Sequence, residues 1–157
     1  MIDTIVRAGT VITVDDARRV ISDGAVAIDQ GVIVGVGPAP DILDAFEART
    51  VIERPSGVAL PGLVDAHSHA GHALVRTLAD DLDLWIDTCA RLYLHGATPD
   101  FWYAEARLTA AERMRAGVTT SLSMLGGAGD TIRSDRPEHG AAHIEAYRTA
   151  GLRTVLV

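Results

Sequence analysis

The 157-residue sequence predicts an α/β fold with two parts. Residues 1–58 contain short apolar stretches separated by turns, and from residue 59 strands alternate with helices, the pattern of parallel βα units. Apolar residues make up 48% of the chain but aromatic residues only 4%, so valine, leucine, isoleucine and alanine should form most of the core. We expect a small β-sandwich segment at 1–58 followed by βα units at 59–157.

Turn residues divide the first part into short strands. Gly31 separates two apolar stretches and can adopt the positive φ that a tight turn requires, so the two stretches predict a β-hairpin. Ala8-Gly9 separates another pair of strands. The predicted elements are strands at 4–7, 10–13, 24–28, 32–36 and 50–53 and a short helix at 40–48. This pattern is typical of a small β-sandwich and not of an alternating α/β unit.

From Pro61 onward the pattern indicates alternating strands and helices. The predicted elements are strands at 63–69, 118–124 and 152–157 and helices at 82–94, 99–116 and 141–150. Asp81 or Asp83 is the expected N-cap of the first helix, and Gly151 ends the last one. The glycine-rich stretch at 126–129 is expected to be a mobile loop at the active site.

The middle helix has signals at both ends. Thr98 is its predicted N-cap, Pro99 suits its first turn because the missing N–H has no helical partner there, and Gly117 lies just past its end. Four residues at helical spacing should form its apolar stripe: Phe101, Ala104, Leu108 and Ala111.

Two histidines one residue apart carry the strongest chemical signal. His67 and His69 stand at the end of an apolar strand that Pro61-Gly62 precedes. Residues i and i+2 of a strand share a face, so both imidazoles should point the same way, at a separation that one metal ion can bridge. Barrel enzymes carry their catalytic groups at the C-terminal ends of their strands. The pair therefore predicts a metal site.

Other residues near this strand are weaker candidates. Asp65 shares the strand face of the histidines, and it either hydrogen-bonds a metal ligand or makes an ordinary hydrogen bond at the strand end. Trp85 and His95 lie where residues after the first strands can line a substrate pocket, with packing or a surface position as the alternative. His72 is expected to be a loop or helix-start residue and not a ligand.

His139 and His143 are four residues apart on one face of a predicted helix, a spacing that can bind zinc. No glutamate of a protease-type motif accompanies them, and this helix should lie outside the barrel. We therefore expect both side chains on the solvated surface. Cys89 is the single cysteine, which excludes a disulfide framework, and its apolar surroundings predict a small buried residue.

Charge and composition exclude several classes of function. The net charge of −7 and the absence of a basic cluster argue against nucleic-acid binding, and Arg113 and Arg115 are expected on solvated faces. The sequence has no lysine, so it has no Walker-type phosphate loop and no Schiff-base lysine. The N-terminus lacks the features of a signal peptide, and no apolar run approaches the ~20 residues of a membrane helix. We expect a soluble cytoplasmic protein that binds neither nucleic acid nor membrane.

Length limits how much of a barrel this chain can form. A closed (β/α)₈ barrel takes about 250 residues, whereas the stretch from Pro61 to Val157 holds two βα units and a third strand. We therefore expect the N-terminal part of a (β/α)₈ TIM barrel, an incomplete barrel. A continuing chain or a companion chain would supply the remaining strands.

Four stretches together resemble a known family: Gly24–Gly37, Leu60–His69, Leu74–Leu82 and Ala111–Thr120. The sequence resembles the metal-dependent amidohydrolase superfamily, in the branch of cytosine and guanine deaminases, adenosylhomocysteine deaminases and triazine hydrolases. The resemblance implies a split β-sandwich, formed from N- and C-terminal segments, beside a TIM barrel, with His67 and His69 as metal ligands of the first strand. It places the other ligands, and the acid/base residue, beyond Val157, so no catalytic residue is expected within this chain.

The same resemblance implies a hydrolase that acts on C–N bonds other than peptide bonds. It implies deamination of a nitrogen heterocycle through a metal-activated water, with one divalent ion, zinc before iron or manganese. Two departures from the branch argue against a nucleoside substrate: Ser123 stands where the branch usually carries Asp, and Tyr93–Gly96 contains no acidic residue.

Two other functions remain open from the sequence. One is a ring-opening cyclic amide hydrolase of the imidazolonepropionase kind. The other is a catalytically inactive chain that needs the rest of the barrel and that by itself binds zinc only weakly. Large members of the superfamily are commonly oligomers, so the resemblance also implies a homo-oligomer when the barrel is complete.

Overall fold

The chain forms two compact units, Met1–Pro61 and Gly62–Val157. The computed structural model describes residues 1–125 and 136–157, so the loop predicted at 126–129 lies outside the described residues. The sequence placed the boundary between residues 58 and 59. Within the described ranges, none of the helices has the length and apolar content needed to cross a membrane.

The first unit is a four-stranded sheet with one short helix. Its elements are β1 (Ile2–Ile12), β2 (Val20–Asp29), β3 (Val32–Pro38), α1 (Ala39–Ala45) and β4 (Ala48–Ala59), and the strand order is β3-β2-β1-β4. β2 is antiparallel to both of its neighbours, whereas β4 runs parallel to β1. The described residues of this unit thus form one sheet, and Ala39 and Ile42 of α1 pack with Ile5, Ala25 and Ala27 of that sheet. That this sheet is a segment of a β-sandwich stays a prediction.

β1 is one continuous strand, so the prediction of two strands around Ala8-Gly9 was wrong. Its pairing with β4 changes register between Ala8, which lies opposite Arg54, and Thr10, which lies opposite Val58. A Cβ added to Gly9 would lie 2.2 Å from the carbonyl oxygen of Pro55. Gly9 therefore permits a close approach of the two strands and does not form a turn. Its neighbour β4 is distant in sequence, so the local pattern could not reveal this role.

The hairpin predicted around Gly31 is confirmed. β2 and β3 pair antiparallel, and the two turn residues between them both have positive φ, 49° at Gln30 and 76° at Gly31. Positive φ at both central residues defines the type I′ turn, whose twist matches that of the flanking strands. The backbone N–H of Gln30 also donates to a carboxylate oxygen of Asp3 at 2.7 Å, which ties the turn to β1.

Replacing Gln30 with asparagine should stabilise this turn. Asparagine visits the left-handed region far more readily than glutamine does, so Gln30→Asn should raise the free energy of unfolding by about 0.5 kcal/mol. Gly31→Ala is the opposing variant, because a side chain at φ 76° is strained, and it should lower stability by about 1 kcal/mol. Urea unfolding of the full-length protein measures both. A lower midpoint for Gln30→Asn would contradict this account of the turn.

The second unit alternates strands and helices, as predicted. Its elements are β5 (Leu63–Ala70), α2 (Leu82–Arg91), a π-helical turn (Leu92–Gly96), α3 (Pro99–Arg115), β6 (Val118–Leu125), α4 (Pro137–Ala150) and β7 (Arg153–Leu156). The three strands form a parallel sheet in the order β5-β6-β7. Consecutive parallel strands place their C-terminal ends along one edge of the sheet, and β5 ends there with the two histidines.

The predicted helix ends are present. The Asp81 carboxylate accepts the backbone N–H of Leu84 at 3.0 Å, and the Thr98 hydroxyl accepts that of Phe101 at 3.2 Å. Gly151 ends α4 with φ 86°. Each of these caps satisfies backbone groups that the helix itself leaves without a partner.

The buried face of α3 differs from the predicted one. Ala104 and Ala111 of the predicted stripe are exposed. The buried residues are Trp102, Glu105, Ala106, Thr109 and Ala110. Two members of this face are polar, so an apolar pattern alone selected the wrong side of the helix.

Candidate functional site

His67 and His69 point the same way from the end of β5, as their spacing predicts. Their Nε2 atoms lie 3.2 Å apart, and the ring centroids are separated by 5.1 Å. Two zinc–nitrogen bonds of 2.0–2.1 Å at a tetrahedral angle place the nitrogens about 3.3 Å apart. The observed separation is that of an imidazole–imidazole hydrogen bond, and it also suits two ligands of one ion. Across the described ranges, however, no group of three or more His, Cys, Asp or Glu residues is placed to hold a metal.

Ser68, between the two histidines, occupies the opposite face of β5. Its side chain is 8% exposed, and its hydroxyl donates to the carbonyl oxygen of Leu122 at 2.6 Å. This bond ties β5 to the neighbouring strand β6 at the level of the histidine pair. Successive side chains of a strand point to opposite faces, so Ser68 anchors the sheet on one face and His67 and His69 lie on the other.

His72 lies in the segment after β5 and packs against the histidine pair. Its ring stacks on that of His69, with a centroid distance of 5.2 Å and an interplanar angle of 10°. Burial lowers the pKa of the His72 imidazole, and the nearby His69 lowers it further. A depressed pKa favours the neutral ring at physiological pH. The structure thus places His72 beside a candidate ligand, at a position that the sequence assigned to a loop or a helix start.

Of the two predicted pocket residues, the structure brings only Trp85 to the histidines. The Trp85 ring meets that of His72 edge-on with centroids 4.8 Å apart, and its indole Nε1 donates to the carbonyl oxygen of Val75 at 2.8 Å. His95 is exposed in the π-helical turn. Among residues 1–125 and 136–157, His95 makes no ring contact with His67, His69 or His72.

Asp65 has a partner that the sequence analysis did not anticipate. Its carboxylate accepts from Nε of Arg113 at 2.9 Å, and the Arg113 side chain is only 13% exposed. Nη1 of Arg113 donates to the Tyr147 hydroxyl at 2.7 Å, and that hydroxyl lies 3.3 Å from the hydroxyl of Ser123. The expectation of a solvated Arg113 was therefore wrong. The ion pair instead connects β5 with α3, and the hydrogen bond from Arg113 to Tyr147 connects α3 with α4.

The buried carboxylate of Glu105 is a second feature that the sequence analysis missed. Its oxygens accept backbone N–H groups of Gly71 at 3.2 Å, Ala73 at 2.8 Å and Leu74 at 2.7 Å. The Thr109 hydroxyl also donates to it, at 2.9 Å. An acidic residue on a helix is usually solvated, so only the position of the segment after β5 explains this burial.

His139 and His143 are buried, so the expectation of a solvated pair was wrong. They are 5% and 0% exposed, and both rings lie 6.2 Å, centroid to centroid, from the ring of Trp102. Both nitrogens of His143, Nε2 of His139 and Nε1 of Trp102 have no hydrogen-bond partner among the described residues. α4 packs against α3 through the face that carries these two histidines. The hydrophobic pattern of the sequence did not indicate that this face is buried. Burial lowers the pKa of His143 to about 4, and the charge of Arg113 adds to the effect.

Comparison with known sequences identifies one family. A sequence model of the amidohydrolase family matches residues 58–156. The 5-methylthioadenosine/S-adenosylhomocysteine deaminase of Nitratidesulfovibrio vulgaris is 41% identical over 124 residues, which are 78% of this chain and 28% of that protein. The chain thus spans less than a third of the length of this curated relative.

Two solved structures resemble the chain over 98% of its residues. An adenosine deaminase from Xanthomonas campestris with bound zinc has a TM-score of 0.80 and 28% identity, and the chain covers 33% of it. A mutant atrazine chlorohydrolase from Arthrobacter aurescens, complexed with zinc and atraton, has a TM-score of 0.79 and 26% identity, with 35% covered. The mixed α/β fold of the chain therefore matches those of zinc-containing hydrolases.

Proposed function

The chain belongs to the amidohydrolase family, and from this membership we propose that it carries part of the active site of a metal-dependent hydrolase of C–N bonds. His67 and His69 would hold one divalent ion through their Nε2 atoms. The parallel strands β5, β6 and β7 would be the first three strands of a (β/α)₈ barrel, in which Gly62–Val157 forms the first βα units. Strands outside this sequence, in the same or a companion polypeptide, would complete the metal site.

The 3.2 Å separation of the two Nε2 atoms carries this proposal. Imidazole nitrogens suit zinc, iron and manganese to different degrees, and zinc is favoured here because both structural relatives described above contain it. When bound, such an ion supplies an activated water near neutral pH, because coordination lowers the pKa of water from 15.7 to about 7.

The chain's own residues would orient the ligands. Ser68 holds β5 against β6 from the opposite face of the strand, and the Asp65–Arg113 ion pair holds the same strand against α3. Trp85 packs on His72 and would form one wall beside the metal. His95 would contribute to the substrate pocket only if the π-helical turn borders it. Ligands that are already held in place bind an ion without the free-energy cost of ordering them. These contacts would hold His67 and His69 in this way.

We propose deamination of a nitrogen heterocycle as the reaction. In such a hydrolysis, oxygen from water replaces a ring amino group and ammonia is released. The adenosine-type relatives favour an adenine nucleoside among the heterocycles. Ser123, which stands where the branch usually carries Asp, argued against a nucleoside. In the structure its side chain is buried beside the Tyr147 hydroxyl, so the serine at this position contacts α4.

Ring-opening hydrolysis of a cyclic amide is the second candidate. It would use the same metal ligands, and the atrazine chlorohydrolase described above, solved with zinc and atraton, is a structural relative that is not named as a deaminase. The two reactions differ in their products, since only deamination releases ammonia from an exocyclic amino group. The completed enzyme is further proposed to be a homo-oligomer.

Elemental analysis and a substrate panel test this function. The purified full-length protein should contain about one divalent ion per site. It should release ammonia from 5′-methylthioadenosine, S-adenosylhomocysteine or 5′-deoxyadenosine, and a chelator should abolish the release until zinc is restored. Cytosine, a triazine and an imidazolone serve as comparison substrates. Ring-opened acid without ammonia would favour the second candidate, and a protein free of divalent metal would contradict both.

A further inference from the structure

Glu105 occupies a position that is unusual for a charged side chain. It is 0% exposed, although carboxylates are almost never fully buried without partners, because removal from water is costly. Its four hydrogen-bond donors, three of them backbone N–H groups, compensate for that cost. Hydrogen bonds to an ionised acceptor are roughly twice as strong as neutral ones. This arrangement therefore holds the donors firmly.

The backbone donors all belong to residues 71–74, the segment that directly follows β5. This segment contains His72, whose ring stacks on that of His69. The other side of the segment is also fixed, because the Tyr93 hydroxyl donates to the carbonyl oxygen of Gly71. Gly71 has φ 115°, and a Cβ there would lie 2.7 Å from the Trp102 ring. The path of the segment is thus determined by α3 and by the π-helical turn.

We propose that Glu105 is a positioning residue for the metal site, because its carboxylate fixes the backbone at 71–74 and thereby the His72 ring that orients His69. The inference rests on the proposed function, since it assigns Glu105 a role toward the ion that His67 and His69 would hold. Glu105 would act on His67 and His69 through the segment 71–74, whose backbone N–H groups it accepts. A purely structural Glu105 would support folding without influencing how the folded protein binds metal.

Glu105→Gln in the full-length protein tests the inference. Glutamine places an NH₂ group where the carboxylate has an acceptor, so at least one backbone N–H at 71–74 would face a donor. The zinc dissociation constant, measured by competition with a chromophoric chelator, should rise about 10- to 100-fold. The visible spectrum of the Co²⁺-substituted protein should change, and the amides of Gly71, Ala73 and Leu74 should exchange faster.

Glu145→Gln is the matched control. Glu145 lies on α4, is exposed and pairs with Arg148 at the surface, so the zinc affinity and cobalt spectrum of this variant should match those of the wild type. If Glu105→Gln does not fold, Thr109→Val removes one donor to the carboxylate and keeps the charge. That variant should weaken zinc binding about 2- to 5-fold, which is less than removal of the carboxylate because the backbone donors remain.

Wild-type zinc affinity and an unchanged cobalt spectrum in a folded Glu105→Gln or Thr109→Val protein would overturn the inference alone. Failure of the wild-type protein to bind zinc through His67 and His69 would instead overturn the proposed function, and with it the role assigned to Glu105. Weaker zinc binding with a changed spectrum, in a protein that remains folded, would support the inference, because loss of stability alone alters neither.

Discussion

The double variant His67→Ala/His69→Ala is expected to lose stoichiometric zinc and to lose hydrolytic activity by about 10³-fold or more, since the activated water depends on the ion. The 3.2 Å separation of the Nε2 atoms makes the two rings a joint ligand pair, so each single variant should also release most of the zinc. Elemental analysis after dialysis, and ammonia release on the substrates named above, measure the two effects.

Ser68→Ala is the matched control for this prediction. Ser68 lies between the two histidines but faces away from them, toward Leu122. Its replacement should cost about 1 kcal/mol of stability through the lost hydrogen bond, while zinc content stays at the wild-type level. The metal assignment would be wrong if the double variant retained zinc as fully as Ser68→Ala does.

Acid destabilisation is the second large effect, and His143 should account for much of it. Burial holds the pKa of His143 at about 4 in the folded protein, whereas an unfolded histidine titrates near 6.5. Between these two pH values the unfolded chain binds a proton that the folded protein excludes. Stability should therefore fall as the pH drops from about 6.5 to about 4, by roughly 3 kcal/mol in total, with no effect of this group above pH 6.5.

His143→Phe should remove this part of the pH dependence. Neither nitrogen of His143 has a hydrogen-bond partner among the described residues, so an apolar ring loses no bond there, and stability at pH 7 should be maintained or increased. His143→Gln provides a smaller side chain that also cannot titrate, in case phenylalanine strains the contact with Trp102. Urea unfolding at pH 7 and pH 5 gives the comparison.

Ile144→Ala is the control for the acid effect. Ile144 is the next residue of α4, is 55% exposed and does not titrate, so its variant should keep the wild-type difference between pH 7 and pH 5. Equal pH dependence in the wild-type, His143→Phe and His143→Gln proteins would show that the buried imidazole does not control acid stability.

Features that depend on neighbours in sequence were predictable. The hairpin at Gly31, the cap at Thr98 and the helix end at Gly151 were predicted, and the structure contains them. Of the two predicted caps of the first helix, Asp81 and Asp83, the structure uses Asp81. A cap or a turn is determined by the conformation and hydrogen bonds of a few adjacent residues.

The shared direction of the His67 and His69 side chains was also predictable from neighbouring residues. It follows from the two-residue repeat of a strand, and the structure places their Nε2 atoms 3.2 Å apart. Their role as metal ligands remains a prediction, because it also requires groups that the described residues do not supply.

The tertiary structure alone decided which polar side chains are buried. Glu105, Arg113 and His143 had each been indistinguishable in sequence from a solvated residue on a helix. Their burial depends on partners from other elements: the backbone at 71–74, the carboxylate of Asp65 and the ring of Trp102. A polar group leaves water when distant parts of the chain meet its hydrogen bonds or enclose it, and the periodicity of one helix contains no information about those parts.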